Sequence, residues 1–172
     1  MHRIILVMLL SVCTAKADDG NPRLRTELAR VIVGEADGSR ADWAAILWTL
    51  EHRRDRSDGL SLLAVAQYSV VLRVNTPRAI RIRSLGTERT DWGASPALRQ
   101  KQWEQALAFV DEWLSGAILD PCPEAMHWDE RETLHRRLTP VDCGETKNRF
   151  YAESGPWQRT GNEATSTGGT TP

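Results

Sequence analysis

Apolar side chains recur over residues 22–37 with the 3.6-residue period of a helix, and one position of the stripe breaks the pattern. Leu24, Leu28, Val31 and Glu35 are spaced i, i+4, i+7 and i+11, so a carboxylate stands in line with three core residues. Asn21-Pro22 supplies the cap and first-turn proline that open this helix, and Gly38 stops it. Ser39 caps a second helix over 40–54, with Asp42 three residues on in a weak capping box. Its stripe is Trp43, Ile46, Leu47 and Leu50, followed by the charged run Glu51 to Asp58. A third helical segment starts near Ser61 with Leu62, Leu63, Val65 and Ala66, then leads through Gln67-Tyr68-Ser69 into the apolar stretch Val70 to Val74.

From Arg73 to Arg89 the period is lost. Five arginines (73, 78, 81, 83 and 89) stand among Thr, Pro and Gly with one acid, Glu88, and read as a loop with a solvated basic face. Ser95-Pro96 opens the last helix, over 96–115, whose face is Trp103, Ala106, Leu107, Val110, Trp113 and Leu114 and which Gly116 closes. Residues 120–151 carry few helical signals and read as loops and short strands. The tail, 157–172, is Thr/Ser/Gly-rich and expected to be disordered. The chain thus predicts a predominantly helical α+β fold in one domain, over 18–156.

The N-terminus reads as an export signal over 1–17: basic Met1-His2-Arg3, nine apolar residues from Ile4 to Val12, and an Ala15-Lys16-Ala17 cleavage site. Nine apolar residues are too few to cross a bilayer, which needs roughly 20. No stable membrane insertion is expected. Val12 before Cys13 is not the small residue that a lipoprotein signal requires. Cleavage after Ala17 leaves 155 residues with 20 basic against 23 acidic side chains, a net charge of −3, which argues against a general nucleic-acid binder. Localisation would be periplasmic or secreted.

Export also changes the cysteine arithmetic, because only Cys122 and Cys143 remain, an even number in an oxidising compartment. A disulfide is the preferred reading over a metal pair, since the spacing lacks any nearby CxxC or HxxxH. Asp129, Glu130, His135 and Asp142 match no metal-ligand spacing, and there is no G-x-S-x-G, HExxH or phosphate-binding glycine loop. Neither metal nor cofactor is expected. Seven tryptophans against two phenylalanines and two tyrosines fit either core packing or stacking platforms for sugar rings.

Glu35 is the principal chemical candidate. On a buried stripe the charged form of a carboxyl is disfavoured, and a carboxyl that keeps its proton near neutral pH can act as a general acid. The competing reading puts Glu35 at a frayed helix end with its carboxylate in solvent.

Several short motifs follow in order: Gly34-Glu35-Ala36, Gly38, Leu50-Glu51-His52-Arg53, Gln67-Tyr68-Ser69, Leu114-Ser115-Gly116, Asp120-Pro121, Glu124-Ala125-Met126-His127-Trp128, and Gly144 through Phe150-Tyr151. This order resembles the SleB-type cell-wall hydrolases, the spore-cortex-lytic family of peptidoglycan glycosidases, over roughly residues 24–152. The resemblance implies a lysozyme-like domain and a lytic transglycosylase acting on peptidoglycan glycan strands. Such an enzyme cuts the bond between N-acetylmuramic acid and N-acetylglucosamine and leaves a 1,6-anhydro end. It makes Glu35 the catalytic acid, which then takes the proton of the sugar's C6 hydroxyl. The chain departs from the family in having Glu51-His52-Arg53 where an Asn-Arg is usual, a longer arginine-rich stretch, and the cysteine pair.

Tyr68, Ser69, His127, Trp128 and Tyr151 are the candidate substrate-binding residues. Each has a plain alternative: core packing for Tyr68, Trp128 and Tyr151, and a structural role for His127. A hydrolase would need a second carboxylate, with Asp37, Glu51, Asp129 and Glu130 as candidates. A non-catalytic peptidoglycan-binding or envelope protein on the same scaffold is the alternative class. The sequence leaves the oligomeric state open.

Overall fold

The computed structural model describes residues 21–36, 38–129 and 138–153. The expected signal (1–17), the tail (157–172), Asp37, Glu130 and His135 lie outside the described residues.

Helix α1 spans Pro22–Glu35, where the Asn21 side chain accepts from the backbone N–H groups of Arg23 and Leu24. Leu24, Leu28 and Val31 are fully buried, as their spacing requires. Ala36 is extended, so α1 ends two residues earlier than its pattern suggests. Gly38, at φ +85°, turns the chain into α2, Arg40–Arg56, whose cap Ser39 accepts from Asp42 N. The short helices α3, Leu62–Gln67, and α4, Val70–Arg73, follow.

The arginine-rich stretch is not a loop. It contains helix α5, Pro77–Ser84, opened by the Thr76 side chain accepting from Ala79 N and by Pro77 in the first turn. Its apolar face is reduced to Ala79 and Ile82, with Leu85 just beyond, and the arginines between them hide the period. Nor is its basic face simply solvated. Arg83 donates to the carbonyls of Leu72 and Val74, and Arg78 to that of Gly34. The end of α5 is closed from α1, where Arg30 donates twice to Leu85 O.

Helix α6, Pro96–Leu114, packs against α1. Trp43, Trp103 and Trp113 are buried, with Trp43 edge-on to Phe109 at 5.6 Å and Trp48 edge-on to Trp113 at 5.8 Å, so most of the tryptophan excess builds the core. Beyond α6, strands β1 (His127–Asp129), β2 (Leu138–Val141) and β3 (Arg149–Glu153) form an antiparallel sheet in the order β1-β3-β2. Among the described residues no helix is long and apolar enough to cross a membrane.

Two devices fasten this sheet to the helices. Asp42 is fully buried, and its carboxylate accepts from Lys147 N at 3.1 Å and Asn148 N at 2.8 Å, tying the loop before β3 to the first turn of α2. Cys122 and Cys143 form a disulfide with their Cα atoms 5.1 Å apart. The half of the bridge near Cys122 is itself held to α2: His52 Nδ1 donates to Ala125 O, its Nε2 bonds Asp120 at 2.9 Å, and Asp120 accepts from Cys122 N. A bridge over 21 positions constrains the unfolded chain by about 3 kcal/mol. Reduction should therefore lower the thermal midpoint by about 10 °C. A thiol titration of the unreduced, unfolded chain cleaved after Ala17 checks the pairing; two reactive thiols would contradict it.

Candidate active site

The end of α1 opens onto a cleft of about 430 Å³, bounded by α2, the α3–α4 junction, α5, β1 and Asn148. Gly34 makes the geometry possible. A Cβ added there would lie 2.5 Å from Val71 Cγ2 and 2.9 Å from Cγ1, so only glycine lets α4 lie this close to α1. That close approach brings the start of α4 over Glu35, whose Oε1 accepts from Ser69 Oγ at 2.8 Å and from Val71 N at 3.2 Å. Gly34→Ala should push α4 away, costing about 1–3 kcal/mol of stability and loosening both bonds to Glu35. Urea unfolding and activity, measured together, test this; unchanged values in both would contradict the packing argument.

The last carbonyls of α1 are also held from outside the helix, as helix ends require. Arg78 Nη2 donates to Gly34 O at 2.7 Å and Asn148 Nδ2 donates to Glu35 O at 3.3 Å. Glu35 is therefore not frayed into solvent; it is half-buried in the cleft wall with its backbone and one carboxyl oxygen fixed. Among the described residues Oε2 has no hydrogen-bond partner. Because Oε1 already faces two donors, a proton on this carboxyl resides on Oε2.

Arg53 forms the facing wall. Its Nε donates to Met126 O at 2.5 Å, and its guanidinium carbon sits 4.5 Å from the centroid of the Trp128 ring. Burial holds its pKa down at about 10, against the opposing pull of Glu35 and Glu153, so it remains a cation at physiological pH. Arg53 Nη2 approaches His127 Nδ1 at 3.4 Å, and His127 Nε2 lies 2.9 Å from Glu153 Oε1. An arginine can only donate, so Nδ1 accepts and the proton sits on Nε2, facing the carboxylate.

The structure brings together part of the expected set. Trp128 lines the cleft beneath Arg53. Tyr68 lines it too but is 62 % exposed, a rim residue and not a core one, with Arg73 5.5 Å from its ring. Ser69 also lines the cleft; it is buried, and its hydroxyl donates to Glu35 Oε1. His127 stands behind Arg53. Tyr151 is 3 % exposed in β3 and is not among the residues that line this cleft. Helix α6 also contributes nothing to the cleft lining and supports α1 from behind. Of the candidate second carboxylates, Glu51 is buried on α2 beside Arg54, whereas Asp129 lines the cleft.

Arg53, Arg78 and Asn148 are the site residues that the sequence reading misses. Arg53 carried a usable signal: Ile46, Leu50 and Arg53 are spaced i, i+4, i+7, a cation on a buried stripe by the same logic that singles out Glu35. Arg78 and Asn148 had none, since each acts through a contact distant in sequence.

No family model, curated protein or solved structure matches this chain. What the fold and the cleft define by themselves is a predominantly helical α+β domain in which, among the described residues, the anchored Glu35 carboxyl shares a cavity with Arg53, Arg78 and Asp129.

Proposed function

We propose that this chain is an exported peptidoglycan glycosidase of lysozyme-like type, working as a lytic transglycosylase on the N-acetylmuramic acid–N-acetylglucosamine bond. The observation that carries the proposal is the asymmetry of Glu35: Oε1 is anchored by Ser69 and Val71, while Oε2 is left for a ligand in the cleft. The SleB-like motif order supplies the substrate class, and the disulfide and the leader-like N-terminus fit an exported protein.

In the proposed reaction, Oε2–H protonates the leaving glycosidic oxygen as the bond to the anomeric carbon breaks. The resulting carboxylate then takes the proton of the sugar's C6 hydroxyl, whose oxygen attacks the anomeric carbon and closes the 1,6-anhydro ring. The 2-acetamido group can assist, as in substrate-assisted glycosidases. One carboxyl thus serves both proton transfers. Arg53 steadies the charge that Glu35 acquires between them, and the Trp128 ring and the Tyr68 rim offer faces for sugar rings. Hydrolysis through a second carboxylate would fall to Asp129 among the described residues.

Incubating isolated cell-wall sacculi with the chain cleaved after Ala17 tests the proposal. Clearing of the suspension is expected. Binding to sacculi without clearing would instead indicate the non-catalytic envelope protein.

A further inference from the structure

A second depression, of about 390 Å³, has Arg78, Arg81, Arg99, Ser95 and Gln102 in its lining beside three apolar residues, with no acidic side chain among the described residues that line it. Arg78 belongs to both cavities, so the two share a wall. Arg81 and Arg99 come from different helices, α5 and α6, yet they converge: a Cβ added to Gly93 would lie 3.7 Å from Arg81 Cδ and 3.8 Å from Arg99 Nε. Neither guanidinium has a hydrogen bond or ion pair among the described residues. This contrasts with Arg25, Arg30, Arg40, Arg53, Arg54, Arg78 and Arg83, all of which are engaged within the fold. Gathering like charges costs energy unless an anion is there to accept them. Planar guanidinium forks suit carboxylates, which they bind in pairs of parallel hydrogen bonds.

We infer that this arginine-lined depression is a carboxylate subsite that takes the free carboxyl groups of the peptide stems carried on the glycan strand. The inference rests on the glycosidase reading for its ligand. A strand lying in the Glu35 cleft carries a stem on each muramic acid, and the shared wall at Arg78 places the subsite beside that path. The subsite makes the protein selective for strands that still bear their peptides. Arg81 and Arg99 hold the stem's carboxylates, while Arg78 remains occupied with Gly34 O.

The test uses glycan oligomers with their stems, the same oligomers stripped of peptide, and oligomers whose stem carboxyls are converted to amides. Binding is measured by calorimetry in a Glu35→Gln background, so that no substrate is consumed. Peptide-bearing oligomers should bind at least about tenfold tighter than stripped or amidated ones, the lower range for charged hydrogen bonds. Adding Arg81→Gln and Arg99→Gln together should abolish that preference and leave affinity for stripped oligomers unchanged. A double variant that keeps the preference, or that loses affinity equally for all three ligands, overturns the subsite. The two readings fail separately. Wild-type protein that cuts no oligomer while the binding preference persists refutes the glycosidase, whereas equal binding and cutting of all three refutes the subsite alone.

Discussion

Glu35→Gln should lower turnover on peptidoglycan by about 10⁴-fold or more, at or beyond the upper end of what general acid–base catalysis contributes. The size of the effect follows from one group serving both proton transfers. The amide keeps an oxygen to accept from Ser69 Oγ and Val71 N, so the anchoring of the side chain survives. What it loses is the proton on the other arm and the ability to take one back. Arg53 gives up one of its two carboxylate neighbours but retains Glu153, its bond to Met126 O and its seat over Trp128. The thermal midpoint should therefore stay within about 3 °C of wild type. A variant that unfolds would not test the chemistry, so melting and release of soluble fragments from sacculi are measured on the same sample. Near-wild-type release from the folded variant would remove Glu35 from the mechanism.

Asp42→Ala should be the most damaging single change away from the cleft, at about 3 kcal/mol, because it strands the buried Asn148 N–H and removes the acceptor of the Lys147 N–H. Asp42 is fully buried, and Lys147 N and Asn148 N both point at its carboxylate. Truncation leaves both donors without an acceptor, and Asn148 is buried away from water. The consequence extends to the site. Asn148 is the residue whose side chain donates to Glu35 O, so loosening the 147–148 backbone also releases the end of α1. Asp42→Asn should fall between, since its amide oxygen can still accept while its charge is gone. Chemical unfolding of the three proteins in urea gives the order wild type, Asn, Ala. An alanine variant within about 1 kcal/mol of wild type would contradict the tether.

Helix starts and the place of Glu35 at the end of α1 were legible in the sequence because both depend on local signals. Asn21-Pro22, Ser39 and Ser95-Pro96 mark helix starts through the cap and first-turn geometry of the neighbouring residues, and the structure starts α1, α2 and α6 there. Thr76-Pro77 carried the same kind of signal, yet the segment read as a loop because arginines occupied most positions between its few apolar ones. Those arginines do work that periodicity cannot report. Arg78 and Arg83 end on backbone carbonyls of other segments, contacts that only the folded chain creates. For Tyr151 the sequence left two readings, stacking and packing. Successive strand side chains point to opposite faces, so two buried neighbours mean that both faces of β3 are covered there. Here both Phe150 and Tyr151 are buried. The disulfide was legible from cysteine parity, whereas its attachment to α2 through His52 and Asp120 was not.

We propose that Glu35 alone carries both proton transfers in an anhydro-forming cleavage. Mass spectrometry of the fragments released from purified peptidoglycan tests it most directly. Fragments ending in 1,6-anhydro-N-acetylmuramic acid are expected from the wild-type chain and none from Glu35→Gln. Fragments with reducing ends would mean that water is the acceptor and that a second carboxylate such as Asp129 takes part. The absence of any glycan fragment from the wild-type protein would mean that Glu35 cleaves no glycosidic bond.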